Sequence, residues 1–408
     1  MKPRRLFRAV CLLTAFAFCS PVLRAIEFSY KYTSGDKYRV LSTVNEDIFV
    51  ERRLSYRAEI VNRIAFEVGA VTGGRANLSA EFQTAEKTEE LGVGGRSVSS
   101  GDFEWSKDYE AEYQQDRLGY MTVGDGYYKP MVRDVPVFPG RDLKQGDTWT
   151  ADGVEVHDFR DSFGIETPYF IPFTARYVYL GERTWKEKPY HAFTVSYRVF
   201  LEPEAVRGKV YPTRIQSSSD QTIYWDVEQG QAAAYEEYFR MVFNLSDGQT
   251  WEYRGRAEAE VIEAPPMDKE DIAKEIAGEI EKIPDTSVYV RDKGIAITLE
   301  NIQFTANSTV MSQDELSKLD AIAEILMKYP DRDIMVEGHT ALAGTAMGRY
   351  QMSQERAQAV AEYLISKNVR SRDRIMYRGF GGEEPIADNR TEAGMARNRR
   401  VEIIILEN

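Results

Sequence analysis

From Ile26 to about Ala264 apolar and polar residues alternate. Tyr56, Ala58, Ile60, Ile64, Phe66 and Val68 fall on even positions, with Arg57, Glu59, Arg63 and Glu67 between them. A period of two is that of a strand with one buried face. It returns at Phe193-Val195-Tyr197-Val199-Leu201, at Phe239-Met241-Phe243-Leu245, and at Trp251-Tyr253 through Val261, where Glu252, Arg254, Arg256, Glu258 and Glu260 are interleaved. Turns such as Ser246-Asp247-Gly248 separate the runs. The pattern predicts antiparallel sheet with one wet face. A sandwich or half-barrel in water and a membrane-spanning barrel both satisfy it. Residues 86–175, rich in charge, Gly and Pro and without evenly spaced ten-residue strands, favour the soluble form. Two subdomains meeting near residue 150 are compatible with the same pattern.

Past Pro265-Pro266 the period changes. Ile272, Ile276 and Ile280 form one stripe at a spacing of four, and Pro284 ends it, which predicts a short connecting helix packed on a neighbour. Strands and helices then alternate. Gly294–Leu299 reads as a strand. Ser312 reads as the cap of a helix, with Glu315 in the reciprocal position of a capping box and Leu316, Leu319, Ile322, Ala323 and Leu326 on its buried face. Ile334–Val336 reads as a strand, about Arg349 to Lys367 as a second helix, and Arg374–Tyr377 and Arg400–Leu406 as two further strands. The sum is a small sheet with helices on one side.

Charge and cysteine usage narrow the compartment. The first 25 residues have a basic start (Lys2, Arg4, Arg5, Arg8) and an apolar stretch, Ala9 to Cys19, too short to span a bilayer, which is the pattern of a secretory signal cut after Ala25. Both cysteines of the chain, Cys11 and Cys19, lie in that segment, so a cut there leaves no thiol for a disulfide, a nucleophile or a metal. The chain carries a formal charge of −13, and losing the basic leader makes it more acidic still. An acidic chain is poorly suited to nucleic acid. With His157, His191 and His339 as the three histidines, a histidine-based metal site or triad has little to draw on, so no metal, no cofactor and no enzymatic activity are expected.

One ordered series of residues is specific. Gly338-His339-Thr340, Gly344, Ser353, Arg356-Ala357, Gly379-Phe380-Gly381, Pro385, Asn389, Thr391, Gly394 and Asn398-Arg399-Arg400-Val401-Glu402-Ile403 follow one another over the last 30% or so of the chain. This series resembles the C-terminal domain of outer-membrane protein A, shared with peptidoglycan-associated lipoproteins and flagellar-motor stator proteins. The resemblance implies binding of the peptidoglycan stem peptide by its diaminopimelate end. An Asp after Gly-His-Thr pairs with the ammonium, and an Arg of the second helix forks onto the carboxylate. Arg356 matches that Arg. The Asp is replaced by Ala341, an Asn at the helix start by Arg349, and an Arg after the late Gly by Met395.

Losing a hydrogen bond to a charged group costs about 1.5–3 kcal/mol, so recognition of diaminopimelate is expected to be altered or weakened. Arg356, Thr340, Ala341, Arg349, Asn398 and Arg399 are the candidate ligand residues, with Asn398 and Arg399 equally able to tie the last strand. Gly338, His339 and Gly344 are expected to form the structural turn of the site, and Arg370, Arg372, Arg374 and Arg378 a solvated face. The expected fold class is an α+β multidomain chain. It comprises a signal peptide (1–25), an antiparallel β-rich region (26–264), a helical linker (265–284) and an OmpA-like α/β sandwich (285–408). The expected role is a non-enzymatic cell-envelope protein in the periplasm, with or without attachment to the outer membrane. Its partners would be the stem peptide, not necessarily of diaminopimelate type, and an outer-membrane or periplasmic protein held by the β-rich region. An outer-membrane barrel with a wall-binding tail, and a scaffold that has lost its ligand, are the alternatives.

Overall fold

A computed structural model describes residues 25–91, 97–99, 104–105, 109–206, 209–263, 267–300 and 311–407. The leader with Cys11 and Cys19, and the Pro265-Pro266 boundary, lie outside the described residues.

The alternating region folds as two antiparallel meanders zipped together by its first and last strands. The first meander holds β1 (Lys37–Val50), β2 (Arg53–Thr72), β3 (Arg75–Leu91), β4 (Ser97–Ser99), β5 (Glu104–Trp105), β6 (Tyr109–Asp116) and β7 (Met121–Val123). The second begins with β8 (Val132–Arg133) and β9 (Thr148–Phe159), passes the single turn α1 (Arg160–Phe163), and continues through β10 (Ile165–Trp185), β11 (Lys188–Leu201), β12 (Pro212–Asp226), β13 (Gln231–Leu245) and β14 (Thr250–Glu263). Strand β1 pairs with β14 from Tyr38↔Glu263 to Val50↔Trp251. The path runs β7-β6-β3-β2-β1-β14-β13-β12-β11-β10-β9-β8, with β4 and β5 added on β3.

Register shifts at Ile48/Phe49, Tyr179/Gly181 and Tyr224/Trp225 bend the strands, as bulges do. The sheet curls until its ends nearly meet: the Met121 amide of β7 donates to Asp134 just past β8 (2.7 Å). Residues 26–32 run inside the curl, where Ile26 bridges Leu143 and Phe28 is buried against Phe138 and Phe193. Trp149 stacks on Tyr177 (4.8 Å) and Phe173 on Tyr197 (4.0 Å), and each such ring contributes about 1.5–3 kcal/mol by leaving water. On β10 to β12 the outward face carries Arg176, Arg198, Arg214 and Asp220, all exposed. Phe170 and Phe200 are exposed on the same face, so it is mixed, whereas a lipid-facing barrel carries a continuous apolar band. Among the described residues no helix is long and apolar enough to cross a membrane.

The second sheet is smaller. Helix α2 (Lys269–Ile280), capped by Asp268, leads to β15 (Thr286–Arg291), β16 (Gly294–Glu300), α3 (Gln313–Leu326), β17 (Ile334–Gly338), α4 (Ala346–Ser366), β18 (Ile375–Gly379), α5 (Glu392–Asn398) and β19 (Arg400–Leu406). The strand order is β15-β16-β19-β17-β18, with β17 and β18 parallel. Helices α2, α3 and α4 share one core with one face of this sheet. Ile276 and Ile280 of the connecting helix are buried in it, so that helix packs as part of this unit. Ser312 caps α3 as expected, but Glu315 turns to Lys318 (3.3 Å) instead of closing the capping box.

The other face of the small sheet is buried too. Met335, Met376, Ile404 and Leu406 cluster there, and β1, β2 and β3 of the large sheet face it. Asp333, fully buried, is the pin. Its Oδ2 lies 3.0 Å from both Arg39 Nε of β1 and Arg63 Nε of β2, and its Oδ1 accepts from Arg374 Nε (2.8 Å). Arg39 Nη2 also donates to Asp331 O (2.6 Å), and Lys293 pairs with Glu81 (2.7 Å). Arg63, expected on a wet face, is therefore buried.

The basic cluster is not a solvated face either. Arg370 donates to the carbonyls of Arg332 and Leu326, Arg372 grips Glu362, Arg374 joins the Asp333 cluster, and Arg378 holds Glu337 (2.8 Å).

Candidate functional site

Parallel strands β17 and β18 end side by side, and the loops after them face the N-terminal half of α4. That close approach requires glycine. A Cβ on Gly338 would lie 2.1 Å from Ser353 O, and one on Gly379 would lie 2.4 Å from Gln354 N. Gly338 is thus a strand residue that admits the helix, not a turn; Gly344, with φ of 78° and open space around it, is the turn glycine. Hydrogen bonds lock the arrangement: the Gly381 amide donates to Ser353 Oγ (2.8 Å), the Gly379 amide to Gln354 Oε1 (2.6 Å), and the Thr340 amide to Gly381 O (2.7 Å).

Helix α4 begins a turn earlier than Arg349, capped by Thr345, whose hydroxyl accepts from the Gly348 amide (3.1 Å). Arg349, Ser353 and Arg356 therefore share one helical stripe. Arg349 Nη1 donates to Gly344 O (2.8 Å), and its Nε is buried without a hydrogen-bond partner. A methyl on Gly382 would lie 3.2 Å from that Nε and 3.5 Å from the backbone oxygen of Ala341, so Gly382 leaves room for the Arg349 side chain. Ala341 itself is buried. Arg356 is half-buried, and burial followed by the nearby Arg399 lowers its pKa.

Asn398 has a structural role. It is fully buried, its Oδ1 accepts from the Ile386 and Ala387 amides (2.9 Å each), and its Nδ2 donates to Ala387 O and Asn389 Oδ1. Asn389 in turn accepts from the Leu342 amide (3.0 Å), which fixes the loop after Ala341. The motif positions thus bring Arg349, Arg356 and Arg399 to one side of the domain without the family carboxylate. Thr340 lies beside them with its hydroxyl buried and unpartnered.

His339 points to the opposite face of the sheet, away from the helices, and stacks on Phe380 (5.3 Å). Burial, then Arg400, Arg291 and Arg378, push its pKa down to about 3. Glu337, His339 and Glu402 could each offer one atom to a common cation. However, Arg378 already holds Glu337, and Arg400 (2.6 Å) and Arg291 (2.7 Å) hold Glu402, so an added cation would face three guanidiniums. In the large sheet His157 Nε2 meets Glu155 (2.9 Å), and Ser217 donates to the same carboxylate (2.9 Å). With the carboxylate in the middle, the imidazole does not receive the serine proton, so this is not a nucleophilic triad.

Residues 303–399 match the model of the OmpA family, which makes this stretch an OmpA-family domain. The chain is 35% identical over 128 residues to the probable lipoprotein YiaD of Escherichia coli, covering 31% of this chain and 58% of that protein. It is 30% identical over 135 residues to outer membrane porin F of Pseudomonas aeruginosa, covering 31% and 39%. The peptidoglycan-binding protein ArfA of Mycobacterium tuberculosis is 34% identical over 110 residues, covering 27% and 33%. The chain thus spans less than two thirds of the length of these curated relatives. Among solved structures, an outer membrane protein from Borrelia burgdorferi is 36% identical, with a TM-score of 0.25, covering 30% of this chain and 96% of that one.

Proposed function

We propose that this is a non-enzymatic cell-envelope protein whose OmpA-family domain associates with peptidoglycan through the carboxylates of a stem peptide, using Arg356, with Arg399 adding charge beside it. The family match and the relatives that include a peptidoglycan-binding protein support the association. The observation that carries the ligand preference is Ala341 in place of the family Asp, with Arg349 on the same helical stripe as Arg356 and Arg399 near Arg356. Added guanidiniums around a site that lacks the carboxylate disfavour a zwitterionic end and favour an anionic one. The periplasm is the matching compartment.

Calorimetric titration with a diaminopimelate-containing stem peptide tests the reading. Wild type binds it weakly, Arg356→Ala removes the binding, and Ala341→Asp alone gains little because Arg349 neutralises the new carboxylate. Ala341→Asp with Arg349→Asn gains about 1.5–3 kcal/mol. Tight wild-type binding that survives Arg356→Ala would overturn the site. The missing family Asp also supports a second reading, a scaffold that has lost its ligand. In that case none of the four proteins binds the peptide and none co-sediments with sacculi.

A further inference from the structure

The curl of the large sheet encloses a cavity of about 530 Å³, lined from β1, β2, β6, β7, β8, β12, β13 and β14, within the range of small-molecule sites. Its walls are mostly aromatic and aliphatic, with Phe66, Met121, Val132, Ile223 and Val261 contributed by distant parts of the chain. Four phenols, Tyr30, Tyr32, Tyr38 and Tyr113, converge at one side of it. Burial, joined by neighbouring phenols for Tyr30, Tyr32 and Tyr113, raises all four pKa values above the ordinary phenol value, so they stay neutral donors.

Tyr32 donates to Gln115 Oε1 (2.6 Å), and Gln115 Nε2 is spent on Gly119 O (3.0 Å). Tyr30 makes one long contact with Pro136 O (3.4 Å). Tyr113 is 7% exposed and lines the cavity. A phenol that lines the cavity can donate its hydroxyl proton to a bound acceptor. The charged groups in the lining oppose an ionic guest. Glu237 is the interior carboxyl, already accepting from Ser219 (2.6 Å) and Gln221 (3.3 Å), with burial raising its pKa. Lys31 and Lys37 are bound at the rim, Lys31 to the Val227 and Glu228 carbonyls and Lys37 to Glu67 and Glu407.

The geometry points to a binding site in the large sheet for an uncharged, largely apolar small molecule bearing one hydrogen-bond acceptor, which Tyr113 reads. This function is separate from the wall-binding reading and does not depend on it.

The test uses the chain from residue 26 onward and two uncharged dyes, N-phenyl-1-naphthylamine, which lacks a carbonyl, and Nile red, which has one. Wild type gives saturable one-to-one fluorescence enhancement with both. Ala232→Phe and Val261→Phe fill the cavity from two strands and weaken both dyes at least tenfold, with far-UV circular dichroism unchanged. Tyr113→Phe keeps the volume, leaves N-phenyl-1-naphthylamine binding intact and weakens Nile red about fivefold, the scale of one neutral hydrogen bond. Absence of saturable binding in wild type, or folded filling variants that bind both dyes as wild type does, overturns the site. Equal Nile red affinity in wild type and Tyr113→Phe overturns the assigned donor, and that variant remains informative if both filled variants fail to fold.

Discussion

Changing Asp333 to asparagine leaves Arg39, Arg63 and Arg374 facing a neutral amide in a place water does not reach. Asp333 and Arg39 are fully buried, and Arg63 nearly so. Removing one member of a buried ion pair costs about 3–5 kcal/mol, because the remaining charge stays desolvated. The three guanidiniums share one carboxylate, so their repulsion adds to that cost, while Arg63 keeps Gln83 (3.1 Å) and Arg39 keeps Asp331 O (2.6 Å), which limits it. We expect the loss near the middle of that range. It should fall on the contact between the two sheets, so denaturant unfolding monitored by tryptophan fluorescence, which reports the large sheet, and by backbone circular dichroism should separate into two transitions. Arg397→Ala, which breaks an exposed pair with Glu300 (3.0 Å), is the control and should cost less than about 1 kcal/mol. Replacing Asp333, Arg39 and Arg63 together by apolar residues of similar size should recover most of the stability. The reasoning fails if Asp333→Asn shifts the midpoint no more than Arg397→Ala does, with the transitions still coincident.

His339 gives a pH signature. Its folded pKa is depressed from about 6.5 to about 3, so the unfolded chain takes up the proton first; the stability tied to neutral His339 is complete above about pH 6.5 and drains away as pH falls toward 3. His339→Phe, which keeps the stack on Phe380, should flatten that part of the stability curve, and an unchanged slope in urea titrations between pH 6.5 and 4 would contradict it. Gly338→Ala should destabilise by roughly 1–3 kcal/mol, because its methyl meets the backbone oxygen of Ser353, whereas Gly344→Ala pays only for a left-handed φ, about 1 kcal/mol; equal melting shifts would refute the packing role of Gly338.

Local pattern read well where local forces decide. The alternation at Phe193–Leu201 became β11, and the stripe Leu319, Ile322, Ala323 and Leu326 became the buried side of α3. Three kinds of error have physical causes. The seven-residue α5 and the edge strand β15 are too short to show a period, and the cap at Thr345 was hidden by Gly344 and Gly348 on either side. Arg63 and Arg370 read as solvated because arginine usually is, whereas here each finds its partners in an element distant in the chain. The motif singled out Arg356 and the Ala341 departure, but the close passage of Arg349 over Gly381 and Gly382 depends on how α4 crosses that loop. The cavity was beyond reach for the same reason, since its walls come from both meanders.

The pairing of β1 with β14 also sets a timetable. Val50 and its partner Trp251 are separated by on the order of 200 residues, and synthesis at 5–20 residues per second puts roughly 10–40 s between them. Strand β1 can pair early with β2 on one side, but its other edge has no partner during that interval. An open edge of Val40, Leu41, Val44, Ile48 and Phe49 invites pairing with another chain, and Lys37, Arg39, Glu46 and Asp47 are the charges that discourage it. Arg39, later buried against Asp333, would thus guard the nascent strand before it locks the finished one.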